Sequence, residues 1–230
     1  MTNEPVLNHD LRYFQQMYAG AKDPWGFDSS RYEDRKFALT IASLPRPQFR
    51  RAVEPGCANG ALTQRLASRC GELIAFDVIP DAVARARDRL ADQPHVSVRQ
   101  ESFPQYWPAG SGDLVVWSEV AYYLTDEGKR AAREGLEAWL EPGGVLVAVH
   151  YTDPTDYPQS GAAIGAWLDG LDFLRCTTRV VDQQFELGVW QRVTTSRGTG
   201  SVPRRSRPGT AGSAAPFQSH LTPTGPSLTL

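Results

Sequence analysis

Five short strand-like runs, separated by helix-like stretches between about Arg50 and His150, constrain this chain more than any other feature. They are Arg51–Glu54, Leu73–Asp77, Val96–Val98, Leu114–Trp117 and Val145–Val149. Strands that run parallel need a long crossover, usually a helix, to return the chain to the same end. The intervening segments supply it. Ala61–Ser68 has a helical pattern. Pro80 opens a helix to about Leu90, at a position where its missing N–H does no harm. Thr125 caps a helix to about Leu140, which ends at Glu141-Pro142-Gly143-Gly144. Leu114–Trp117 is apolar on both faces, as central parallel strands are. The expected fold is α/β, with a doubly wound, mostly parallel sheet.

The flanks read differently. Leu11–Ala19 and Ser30–Leu44 are helical, the second opened by a Ser30-x-x-Glu33 capping box. Thr152–Ser160 is a loop, followed by a short helix around Ala162–Leu168. Phe173–Val181 and Gln184–Thr194 then form a C-terminal antiparallel hairpin across Asp182 and Gln183. From Ser196 to Leu230 the composition turns to Ser, Thr, Gly, Pro and Arg. Its four arginines and no acid leave 20 basic against 26 acidic side chains before it. A segment so poor in apolar surface is expected to be disordered, with a basic arm for anionic partners as the alternative. The expected organisation is an N-terminal helical lid segment over residues 1–48, a core over 49–195 and a tail over 196–230.

Composition removes several functions. No run of about 18 apolar residues exists, so no membrane span is expected. The N-terminus lacks the layout of a secretory signal, which makes the cytoplasm the default. Cys57, Cys70 and Cys176 are too scattered for a disulfide framework or a metal pair. A net charge of −2 argues against a nucleic-acid partner.

The first strand leads into Val53-Glu54-Pro55-Gly56-Cys57-Ala58-Asn59-Gly60. Gly56 and Gly60 let backbone approach a ligand closely, and Asp77 closes the second strand, where a carboxylate can accept hydrogen bonds from a ribose diol. The dinucleotide fingerprint needs a third glycine that is not there, which disfavours a dehydrogenase. Glu54 at the strand end suits an ammonium and would repel a pyrophosphate.

This turn resembles motif I of class I S-adenosylmethionine methyltransferases, with Ala58 in place of the middle glycine. The resemblance implies S-adenosylmethionine as cofactor, held by Glu54, Gly56, Cys57, Ala58 and Gly60, by Asp77 with Val78, and by Glu101, Ser102 and Phe103 at the adenine. Leu140–Gly144 resembles the turn that introduces strand five in that superfamily. Three stretches are similar to the nodulation N-methyltransferase (NodS) family: Asp23–Phe27 with Ser30–Lys36, Gly56–Ala61, and Ser118–Leu124. That likeness implies an N-methyltransferase for the amine of a small molecule, in the name-giving family a de-N-acetylated chitooligosaccharide. A small-molecule O-methyltransferase and a non-catalytic binding protein of the same fold are the alternatives.

Acceptor-side candidates lie beyond strands four and five. Glu119 is read as an anchor or base for the amine, or else as a capping acid. Tyr122 and Tyr123 could wall the methyl-transfer site, with at least one of the pair expected in the core. His150 is the second choice of proton acceptor, against a structural role. In the N-terminal segment Trp25 is expected to cover the sulfonium, and Arg35 to pair with the methionine carboxylate or decorate an exposed face; Ser118 joins the cofactor set. Asp153, Asp156 and Tyr157 are candidates for sugar hydroxyls, and Trp167 for stacking or packing.

Overall fold

The computed structural model describes residues 11–155 and 157–193. These lie in one compact unit that runs to Thr195, and the Ser196–Leu230 tail, whose expected disorder was noted above, is outside the described residues. The chain opens with α1 (Leu11–Gly20) and α2 (Arg31–Ala42). Then follow β1 (Phe49–Pro55), α3 (Ala61–Ala67), β2 (Cys70–Asp77), α4 (Pro80–Arg89), β3 (Val96–Gln100) and β4 (Gly112–Ser118). A 3₁₀ turn (Ala121–Tyr123), α5 (Asp126–Trp139), β5 (Leu140–Tyr151), α6 (Gly161–Asp169), β6 (Leu174–Val181) and β7 (Phe185–Arg192) complete it.

The seven strands form one sheet in the order β3-β2-β1-β4-β5-β7-β6. β1 through β5 run parallel to one another, with Val53 opposite both Ile74 and Val115. β7 runs antiparallel to β5 and to β6, the hairpin expected from the sequence. Side chains alternate between two buried layers. Val115 and Trp117 enter a layer with Leu136, Trp139 and Trp190, while Leu114 and Val116 enter the opposite one with Leu66, Leu73 and Phe185. Burial on both faces is why β4 carries no polar alternation. No helix among the described residues is long and apolar enough to cross a membrane.

Two local readings change. Glu141–Gly144 does not precede strand five but lies within it. Leu140 already pairs with Gly112, and the register shifts between Gly112 and Leu114. Pro142 offers no N–H to a ladder and Gly143 takes φ +79°, so the stretch leaves the ladder and rejoins it. The capping box is half made: Ser30 Oγ accepts from the Glu33 N–H at 3.4 Å, whereas the Ser30 N–H donates to Gly26 O at 2.8 Å. That second bond leaves the Glu33 carboxylate free to point elsewhere.

The strand order reverses between β1 and β4. Ligands of open α/β sheets bind at such a switch point, beyond the carboxyl ends of the strands.

Candidate active site

At that edge lies a cavity of about 340 Å³, bounded by the turns after β1, β2, β3 and β4 and closed by residues of α1 and α2 and the segment between them. Gly56 (φ +68°) and Gly60 (φ +79°) shape the first turn, and added side chains would meet Val120 and Ala86 respectively. Ala58 reaches φ +49° despite its Cβ, and Glu119 reaches φ +55°. Both border the cavity, where such backbone cost is typically found.

One end of the cavity is built around Glu54 and Asp77. The Glu54 side chain is 2% exposed, burial pushes its carboxyl up to about 8, and its Oε2 has no hydrogen-bond partner among the described residues. A buried carboxylate oxygen without a donor fits a ligand ammonium. Asp77 accepts from the Ala58 N–H (3.0 Å) and the Ile79 N–H (2.9 Å), and each oxygen keeps a further lone pair. Burial raises the Asp77 carboxyl, and the backbone donors hold it down. Cys57, Ala58, Val78, Glu101, Ser102, Phe103 and Ser118 also line the cavity, as does Trp25, which packs edge-on against Tyr18 at 5.4 Å. Gly60 does not line it but sets the turn through its backbone. The Tyr18 hydroxyl, buried here, has no hydrogen-bond partner among the described residues. Asp28 ties this end to the N-terminal segment, pairing with Arg89 at 2.6 Å and accepting from Asn59 Nδ2 at 3.3 Å. An unpaired acid at one place and an acid with spare lone pairs at the other fit the methionine ammonium and ribose of S-adenosylmethionine.

The other end is acidic and aromatic. Glu119 Oε1 sits 2.6 Å from Lys36 Nζ, and Oε2 accepts the Tyr151 N–H at 3.0 Å. Lys36, 1% exposed, also donates to Glu33 Oε1 at 3.0 Å and lies over the Tyr32 ring at 4.8 Å. Both Tyr122 and Tyr123 are buried in the core, where at least one was expected, and both also line the cavity. The 3₁₀ turn removes the strand alternation that would have separated them, and their rings meet at 4.7 Å with Tyr157 against both.

Two expectations are corrected. Arg35 does not line the cavity: its guanidinium pairs with Asp182 at the start of the hairpin turn and is 58% exposed. His150 is turned away. Its Nε2 accepts the Ala121 N–H at 3.2 Å, and burial drives its basicity down to about 4, so it holds the 3₁₀ turn rather than facing an acceptor. Of the two readings of Trp167 the packing one holds, since it stacks on Trp117 with planes 4° apart. Asp153 is engaged by Tyr151 Oη at 2.8 Å, and Asp156 lies outside the described residues. Sequence reading missed Lys36 and Tyr18, and took Glu33 only for the capping box. A Glu-x-x-Lys pair on the same helix face as Phe37 and Thr40 was the available signal.

The family model described as nodulation protein S (NodS) matches residues 7–156. The chain belongs to the nodulation protein S family. It is 36% identical over 147 residues to nodulation protein S of Rhizobium tropici, covering 63% of this chain and 58% of that one. The counterpart from Sinorhizobium fredii is 37% identical over 134 residues, covering 55% and 60%. The matches thus span under two thirds of these relatives. In structure, the chain resembles N-methyltransferase NodS from Bradyrhizobium japonicum WM9, solved with S-adenosyl-L-homocysteine, at TM-score 0.72 and 28% identity over 79% of this chain and 97% of that one. The fold is that of the class I methyltransferases.

Proposed function

We propose that this chain is an S-adenosylmethionine-dependent methyltransferase acting on the amine of a small molecule, a de-N-acetylated amino sugar or chitooligosaccharide. When bound, S-adenosylmethionine supplies an electrophilic methyl carbon on a cationic sulfur. Glu54 pairs with the methionine ammonium, Asp77 takes the ribose hydroxyls, and Glu101 and Ser102 meet the adenine. Trp25 and its aromatic neighbours exclude water from the sulfonium side, with α1 and α2 serving as a lid. The Bradyrhizobium relative is an N-methyltransferase, which supports nitrogen as acceptor atom.

The observation that carries the reading is the division of one cavity into two ends. One end offers an unpaired carboxylate oxygen, and the other presents Glu119 beneath a wall of tyrosines. Aromatic faces favour a cationic group, and an acidic floor concentrates ammonium substrates. Calorimetry with S-adenosylhomocysteine tests the first end. A screen of S-adenosylmethionine consumption across glucosamine oligomers, simple amines and phenols tests the second. Turnover of amines is expected; turnover of phenols alone would move the acceptor to oxygen, and no binding of S-adenosylhomocysteine would remove the activity altogether.

A further inference from the structure

Helix α2 carries two charged side chains into the acceptor end that the reading above leaves without a task. Glu33 and Lys36 are 6% and 1% exposed, and both line the cavity beside Glu119. Lys36 Nζ lies 2.9–3.0 Å from the two Glu33 oxygens and 2.6 Å from Glu119 Oε1. One lysine therefore serves two carboxylates, leaving an excess negative charge in a largely buried site. Charges are retained in such places when paired, and a ligand cation would balance this trio. Glu33 Oε2 has Lys36 Nζ at 2.9 Å and no further donor among the described residues, and the neighbouring Tyr32 hydroxyl is buried without a partner among them. Both residues contact Lys36, which holds Glu119.

We propose that Glu33 is a catalytic residue: with Glu119 it clamps the acceptor's ammonium, and it takes the proton that must leave before the nitrogen can attack. Lys36 is the positioning residue that fixes the two carboxylates relative to each other. The inference rests on the amine reading above. The balance is simple. One N–H proton passes from the ammonium to the Glu33 carboxylate. The freed nitrogen lone pair forms the new C–N bond as the C–S bond breaks, its electron pair staying on sulfur. The products are a methylated ammonium and a neutral thioether. Burial makes Glu33 a better proton acceptor than an exposed glutamate. Lys36 opposes that shift, while Glu119 after β4 and Asp23 from the segment before α2 reinforce it. Tyr32 and Tyr151 flank Glu119 as neutral phenols.

The test uses the full chain with Glu33→Gln, Glu33→Asp and Lys36→Met, each checked for folding by circular dichroism. Glucosamine is titrated into the S-adenosylhomocysteine complex, with N-acetylglucosamine as the uncharged control. Expected for Glu33→Gln are unchanged S-adenosylhomocysteine affinity and glucosamine binding weakened at least tenfold. Its kcat with glucosamine should fall about a hundredfold at neutral pH and recover as the free amine becomes abundant, the size and pH signature of a lost base. Glu33→Asp should retain part of the rate, and Lys36→Met should act mainly on KM. If the wild type methylates glucosamine and Glu33→Gln matches it in rate and pH profile, the proposal is overturned while the amine reading stands. A Glu33→Gln variant that loses S-adenosylhomocysteine affinity also overturns it, by moving Glu33 to the cofactor end. A wild type that methylates phenols and no amine overturns both together.

Discussion

Lys36 Nζ and Glu119 Oε1 lie 2.6 Å apart although the residues are 83 positions distant in sequence. The pair fastens the N-terminal helices to the carboxyl end of β4. Glu119 accepts this contact from a left-handed backbone, which turns its carboxylate toward α2. Removing the lysine leaves two nearly buried acids facing each other. Lys36→Met should therefore lower unfolding free energy by about 3 kcal/mol, the cost of breaking a buried ion pair from one side. Urea denaturation measures it, and a change below 0.5 kcal/mol (order of a surface substitution) would show that the pair holds nothing together.

Asp77 keeps lone pairs available after accepting two backbone N–H groups. Asp77→Ala is expected to weaken S-adenosylhomocysteine binding by about 1–3 kcal/mol, through loss of charge-assisted hydrogen bonds. Arg35→Ala in the same calorimeter should leave affinity within about twofold, because its guanidinium is committed to Asp182 on the outside. The reverse ranking would return Arg35 to the cofactor site.

Glu54 makes ligand binding depend on pH. With its carboxyl pushed up to about 8, the free protein holds a proton there at neutral pH, and pairing with a ligand ammonium expels it. Affinity for S-adenosylhomocysteine should climb between pH 6 and 8 and level off above that, where Glu54 is already ionised in the free protein. The same shift has a stability consequence. A carboxyl raised on folding stabilises the free protein below its unfolded value of about 4.5, and this is lost as pH rises toward 8. Glu54→Gln should flatten both dependences, read by calorimetry in buffers of different ionisation enthalpy and by denaturation against pH.

His150 acts in the opposite sense. Folding lowers it from 6.5 to about 4, so its contribution is complete above pH 6.5 and is lost as pH falls toward 4. The loss amounts to roughly 3 kcal/mol at 1.36 kcal/mol per pH unit. His150→Gln retains an acceptor for the Ala121 N–H but cannot titrate, so its acid limb should be shallower in urea midpoints measured from pH 7 to 4. An identical limb would place the acid sensitivity elsewhere.

How much of this was legible in the chain follows from the range of the forces involved. The strand and helix alternation, the caps at Ser30 and Thr125, the glycine turn and Asp77 were readable because each depends on residues within one turn or one strand–helix unit. Ala58 was legible as a departure from the glycine pattern, though not that it would adopt a left-handed backbone. Arg35, His150 and Trp167 were not readable. Whether a side chain points into a cavity, at a backbone amide or onto a tryptophan is settled by elements far away in sequence: Asp182 in the hairpin, Ala121 in the 3₁₀ turn and Trp117 on β4.

The sequence alone determined a parallel sheet with a nucleoside-type turn at its switch point, because apolar periodicity and turn chemistry are local properties of the backbone. The tertiary structure alone decided where the acids stand. It brought Glu33 and Lys36 from the N-terminal helix against Glu119, since buried charges must find partners and only the folded chain supplies them.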